Sequence, residues 1–128
     1  MILLDTHTWV WWFAQPNQLS AAAVEAIGDA DEVGVSPISC WEVAMLSRKG
    51  RLKLDRDTLV WVQDALSETT FTVLPITPPV ATLAGTLGSE FHGDPADRLI
   101  VATACMLGAT IVTKDRRIRS YPMVNTLW

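Results

Sequence analysis

Charge is scarce in this chain. Only 19% of its 128 residues are Asp, Glu, Lys or Arg, while 49% are hydrophobic. So low a charged fraction in a soluble protein implies that some of the apolar surplus covers a partner surface. Basic residues are outnumbered, ten Lys and Arg against fourteen Asp and Glu, and the net charge of −4 argues against a generic electrostatic nucleic-acid binder. That exclusion weakens if the acids hold metal, since two divalent cations would bring the charge to about zero. Long apolar runs are missing too. The densest, Trp9-Val-Trp-Trp-Phe-Ala14, falls far below the ~20 residues of a membrane span, so no membrane association is expected. The start of the chain has no basic stretch, and Asp5 and His7 interrupt its apolar residues, so it does not read as a secretory signal. Cys40 and Cys105 stand far apart without CxxC or Cys/His spacing. They are expected to be buried free thiols of a cytoplasmic protein. Repeats, low-complexity tracts and linkers are absent, so residues 1–128 read as a single domain with one sizeable core.

What is present is a regular alternation of short apolar runs and helical stretches. Met1-Ile-Leu-Leu4 is continuously apolar and reads as a strand buried on both faces, the habit of parallel sheets. Helices are expected over Thr6–Ala14, over Ser20–Ile27 with a Ser cap and a Gly28 stop, and over Pro37–Arg48, ended by Gly50. Further helices are expected over Thr58–Glu68 and Pro78–Leu87. Asp94-Pro95 then starts another by capping and N1 preference, and that helix runs to Gly108. Strands are expected at Glu32–Ser36, Phe71–Pro75, Thr110–Thr113 and about Met123–Asn125, with a basic turn at Arg116–Arg119. This alternation implies an α/β fold of three layers, α/β/α, around a central, mostly parallel sheet. Trp9, Trp11 and Trp12 crowd one helix and cannot all face the core at that spacing. A wide buried face would explain them, but a partner surface, where Trp is favoured, is the preferred expectation.

Ligands of such sheets sit outside the carboxyl ends of the strands. Asp5 and Asp115 each follow an apolar strand, so both are expected at that edge. Asp97 precedes Ile100, Val101 and Ala104 at helical spacing, and Glu42 stands in register with Ile38, Met45 and Leu46. Both acids thus interrupt apolar stripes. No Lys or Arg shares these faces: Arg98 is one residue out of phase with Asp97, and Lys114 should point away from Asp115 on an extended chain. Two carboxylates about 5 Å apart repel by roughly 3 kcal/mol at an effective dielectric near 20. Four of them need protonation or a cation, and an all-oxygen donor set selects Mg²⁺ or Mn²⁺ over zinc. Taken singly, each acid has a simpler role: Asp94 a helix cap, Asp97 a dipole partner, Asp115 a turn residue, Glu42 a solvated side chain. Agreement of four on one site favours the metal reading. His7 and His92 read as helix-end or loop residues, while the Thr6 and Thr113 hydroxyls stand where they can orient a carboxylate or a metal-bound water. The basic clusters Arg48–Lys53 and Arg116–Arg119 read as solvated turns, although the second adjoins Asp115, where cations would meet a phosphate backbone.

The order Asp5-Thr6, Ser39-x-x-Glu42, Asp97-x-x-Ile100 and Thr113-Lys-Asp115 resembles the PIN-domain ribonucleases, and most of all the VapC toxins of toxin–antitoxin pairs. The likeness spans essentially the whole chain and carries the family's four acids to Asp5, Glu42, Asp97 and Asp115. Lys114 departs from the small polar residue that many relatives carry there. The resemblance implies a metal-dependent endoribonuclease acting on RNA, single-stranded or structured, a homodimer, and a small cognate antitoxin that blocks the site. Asp5 and Asp115 would be primary metal ligands and Asp97 a ligand directly or through water. Glu42 would be a ligand or the group that orients the attacking water. The runner-up readings are a receiver-like signalling domain and a catalytically silent member of the same fold. The receiver needs an acid at the end of a middle strand, where this chain has Ser36 and Pro75. A haloacid-dehalogenase-like phosphatase would need an acid two residues after Asp5, where His7 stands.

Overall fold

The computed structural model of the chain describes residues 1–91 and 93–128, so the expectation for His92 lies outside the described residues. Five three-residue strands form one sheet: β1 (Ile2–Leu4), β2 (Val33–Val35), β3 (Phe71–Val73), β4 (Thr110–Val112) and β5 (Asn125–Leu127). Their order is β3-β2-β1-β4-β5, and every pairing is parallel. The chain therefore builds outward from β1 in one direction and then returns to add β4 and β5 on its other side. The point where the order reverses lies between β1 and β4, the crevice where sheets of this kind take their ligands.

Alternation along β1 divides the core. Leu4 joins Val33, Val35 and Val112 on one face, packed against α1 (Thr6–Ala14), α2 (Ala21–Asp29), α3 (Pro37–Arg48) and α4 (Thr58–Ala65) through Trp9, Ile27, Val43 and Trp61. Leu3 and Ile111 point to the other face, against Ile100, Val101 and Ala104 of α6 (Pro95–Leu107) and Ile118 of α7 (Arg116–Arg119). The remaining helix, α5 (Pro78–Thr86), packs on α6 through Val80, Ala84 and Ala102. The three-layer expectation holds. Gly34, opposite Leu3 in the register, leaves the space that the Leu74 side chain fills, so a Cβ there would collide with it.

Several local expectations change. The helix after Ser20 runs through Gly28 to Asp29, because Ser20 Oγ accepts from Ala23 N at the start and Gly28 keeps ordinary helical geometry. The helix from Thr58 ends at Ala65, not Glu68. Arg116–Arg119 is a helical turn, not an irregular one, because Asp115 caps it by accepting from Arg117 N. The last strand lies two residues later than Met123–Asn125: Ile111 pairs with Thr126, while Met123 is exposed. The tryptophans settle largely inside. Trp9 is fully buried edge-on to Trp61, so the partner surface expected of all three does not hold for it, while Trp12 packs on the same core and stays partly exposed. The thiols are free, as expected, but only half-buried.

Candidate active site

The register brings Leu4 level with Val112, so the next residues of both strands, Asp5 and Thr113, leave the sheet side by side. Asp5 caps α1, its Oδ1 accepting from Thr8 N at 2.8 Å, while Oδ2 accepts from the Thr113 hydroxyl. Only 7% of Asp5 is exposed. Burial pushes its carboxyl above the usual range, opposed by the Thr113 and Thr8 hydrogen bonds. Thr113 Oγ1 also accepts from Asp115 N at 3.0 Å, so one hydroxyl fixes two acids.

Glu42 comes from the second turn of α3. Ser36 starts that helix, its Oγ accepting from Ile38 N, and Pro37 follows at N1. Thr6 Oγ1 lies 2.5 Å from Glu42 Oε1 and 2.9 Å from Ser39 Oγ. With one proton, the Thr6 hydroxyl donates to the carboxylate and takes its own hydrogen bond from Ser39. Burial raises the Glu42 pKa against that bond, and the Asp94 charge raises it further.

Asp94 caps α6 as expected, accepting from Asp97 N at 2.9 Å. Asp97 therefore rises from the first turn, and its carboxyl is pushed up to about 7 by burial and by the charges of Asp94 and Asp115. Arg117 opposes this: its Nη2 lies 3.3 Å from Asp97 Oδ2 and 3.1 Å from Asp115 Oδ2. Burial would raise the Asp115 carboxyl, but the Arg117 hydrogen bonds outweigh it and hold Asp115 below the usual range.

All four expected acids, Asp5, Glu42, Asp97 and Asp115, line one open cleft of about 400 Å³, together with Asp94, Thr6, His7, Trp11, Lys114 and Arg117. Two parts of the sequence reading change. A cation does share the faces of Asp97 and Asp115: Arg117 reaches back from α7, a distance that spacing along one helix does not reveal. Lys114 faces the same cleft as Asp115, because the chain leaves extended geometry after Val112 to enter α7. Arg98, by contrast, turns away as its phase implied. Its guanidinium donates to the carbonyls of Ala84, Leu87 and Phe91 and fastens the end of α5. Neither β2 nor β3 ends in an acid, which leaves the receiver-like alternative without its phosphoacceptor.

The donor set suits a hard divalent cation: oxygen only, with Asp5 buried and the other three acids partly so, and with like charges raising the Asp97 pKa. Among the described residues no three His, Cys, Asp or Glu side chains stand close enough to form a ready-made cage, and Arg117 bridges Asp97 and Asp115. The residues fit the ion in chemistry and charge, with Arg117 carrying part of that balance.

A parallel 3-2-1-4-5 sheet with acids gathered beside its central strand defines a class, and the PIN domain family model matches residues 2–123. The chain belongs to the PIN domain family, whose ribonucleases are generally divalent-metal dependent. Ribonuclease VapC22 of Mycobacterium tuberculosis is 50% identical to it, over 99% of this chain and 98% of the relative, so the kinship is with the VapC type. Among solved structures, VapBC2 from Rickettsia felis, bound to a DNA fragment from its promoter, has a similar chain with a TM-score of 0.71. That chain is 18% identical, with 99% of this chain and 98% of that one covered. FitAcB from Neisseria gonorrhoeae gives a TM-score of 0.68 at 24% identity, covering 99% and 96%. Both support the fold. No helix among the described residues is long and apolar enough to cross a membrane.

Proposed function

We propose that residues 1–128 act as a single PIN-like nuclease domain, a Mg²⁺- or Mn²⁺-dependent endoribonuclease that serves as the toxin of a toxin–antitoxin pair. The observation that carries this reading is the convergence of Asp5, Glu42, Asp97 and Asp115, four acids far apart in sequence, on one cleft at the sheet's switch point. Asp5 and Asp115 are the primary metal holders, joined by Asp97 directly or through water. When bound, the cation lowers the pKa of a coordinated water and polarises the scissile phosphate. Glu42, held through Oε1 by Thr6, orients the attacking water with its other oxygen or joins the ligands. Thr6, itself held by Ser39, and Thr113 fix the carboxylates without neutralising them. Lys114 and Arg117, at the cleft wall, meet the phosphate backbone.

The likeness to VapBC and FitAB assemblies supports a small cognate antitoxin, and the chain is read as a homodimer on the resemblance alone. Exposed Trp41, Leu59 and Val60 on α3 and α4 provide apolar surface of the kind such partners cover. Free Cys40 and Cys105 suit a reducing cytoplasm. The test is Asp5→Asn, which preserves the oxygen that caps α1. RNA cleavage in Mg²⁺ or Mn²⁺ is expected to vanish, circular dichroism to remain native, and growth arrest on expression to be relieved. Cleavage at the wild-type rate by the variant would sink the proposed centre.

A further inference from the structure

The acidic cleft has a neighbour. His7, in the first turn of α1, and Trp11, one turn later, stand with ring centroids 5.7 Å apart, and both line a second hollow of about 170 Å³ that shares Thr6 with the cleft. That hollow is bounded by Gln15 and, from the end of α3, by Leu46, Leu52 and Arg51. Its shape follows from how α3 stops. Gly50 takes a positive φ of 72°, Gly50 N donates to Ser47 O, and Arg51 N donates to Leu46 O at 2.9 Å. This paired closure reverses the chain at the glycine and carries Arg51 back towards α1. Trp11 also meets Trp128, the two ring centroids 5.9 Å apart and the planes tilted by 58°.

An RNA strand approaching the acids meets repulsion at every phosphate except those near a cation. On one side Lys114 and Arg117 line the cleft. On the other, Arg51 is the guanidinium of the neighbouring hollow, and among the described residues it forms no ion pair. An aromatic face beside a basic group is how proteins hold single strands without reading sequence: a base stacks on the ring and a phosphate meets the charge. We propose that the Trp11–Arg51 hollow is a second subsite for the RNA strand. There the base of a nucleotide next to the scissile phosphate stacks on Trp11, and Arg51 holds the adjoining backbone phosphate. The subsite rests on the ribonuclease reading above. It gives the cluster Arg48–Lys53 a role as the entry flank of the cleft. Trp11 and Arg51 act as positioning residues: they set where the strand lies and take no part in the bond-making.

The test measures fluorescence anisotropy of a labelled, random-sequence, twelve-nucleotide single-stranded RNA in Ca²⁺, and cleavage kinetics on total RNA in Mn²⁺. Trp11→Leu, which fills space without a π-face, is expected to weaken binding roughly 5- to 100-fold. It should raise KM with little change in kcat, whereas Trp11→Phe stays near wild type. Arg51→Gln, at an exposed position that tolerates the change, is expected to weaken binding and lower the salt slope by about 0.7, one phosphate contact on a single strand. Equal impairment by Leu and Phe would make Trp11 a packing residue and overturn the subsite. So would wild-type binding and KM in both Trp11→Leu and Arg51→Gln. In either case, loss of cleavage in Asp5→Asn leaves the nuclease standing. If the wild-type chain cleaves no RNA and Asp5→Asn is indistinguishable from it, both readings fall together.

Discussion

Asp97→Asn should make the metal-free protein more stable while disabling it. Burial and the neighbouring Asp94 and Asp115 raise the Asp97 carboxyl from an ordinary value of 3.8 to about 7. Between those values the folded state binds a proton that the unfolded chain has already lost. The stability this proton confers is full below about pH 4 and is lost as pH rises through 7. At pH 8 the ionised carboxylate is therefore a burden, with a ceiling near 4 kcal/mol at about 1.4 kcal/mol per pH unit. Solvent at the cleft mouth lowers that figure, and the Arg117 pair that the variant loses, half-exposed on the arginine side, is worth about 0–1 kcal/mol. A net gain of about 1–2 kcal/mol remains, a rise in Tm of ~3–10 °C for a domain of this size. Thermal melts of wild type and Asp97→Asn in EDTA at pH 8 and pH 5 measure it. The gain is expected at pH 8 and should shrink at pH 5, where the wild-type Asp97 is already protonated. Added Mn²⁺ should raise the wild-type Tm by mass action and move the variant less. An unchanged or lower Tm for Asp97→Asn at pH 8, or a gain independent of pH, would refute the reasoning.

Thr113→Val removes a donor from Asp5 and an acceptor from Asp115 N at constant shape. It is expected to cost about 1–3 kcal/mol in urea unfolding and to move the acid limb of the pH–rate profile upward, since the Thr113 bond holds the Asp5 pKa down; Thr113→Ser should restore both. Arg98→Lys cannot reach the carbonyls of Ala84, Leu87 and Phe91 together with one ammonium. About 1–3 kcal/mol is expected to be lost, with hydrogen exchange rising first at the end of α5. Gly50→Ala places a Cβ at a φ of 72° and should cost about 1–2 kcal/mol by urea unfolding, although the space beside it is open.

Much of this fold was legible because its signals are local. Asp94-Pro95 and Gly108 mark both ends of α6, and the cap hydrogen bond and a φ of 63° stand at those residues. Met1–Leu4 reads as a strand buried on both faces because it is apolar without alternation, and β1 lies between β2 and β4 with helices on either side. Strand order followed less directly, yet two acids placed at strand ends were enough to predict a shared edge. What stayed hidden depends on reach and on competition for the core. Nothing in the spacing says that Arg117 folds back over Asp97, because its contact spans an intervening strand and turn. Trp9, Trp11 and Trp12 are equal in composition, and only packing separates a buried Trp9 from a Trp11 that lines the cleft. The last strand was displaced because Met123 is apolar but exposed, while the pairing falls to Asn125–Leu127.

The supports of the acids differ in a way that bears on how the site works. Asp5 and Glu42, the more securely anchored pair, are held by threonine hydroxyls, which satisfy one lone pair each and leave the carboxylate charge in place. A lysine or arginine in those positions would have fixed the geometry equally well and cancelled the charge a divalent cation requires. Asp97 and Asp115 are the pair that shares a cation, and that cation, Arg117, is half-exposed on a four-residue helix. Its hold on them is of the weak, solvent-screened kind. The permanent half of the site is thus built from neutral donors and the exchangeable half from a surface arginine. Such a division limits the repulsion among the acids in the folded chain and, under the proposed function, leaves them available to a divalent cation.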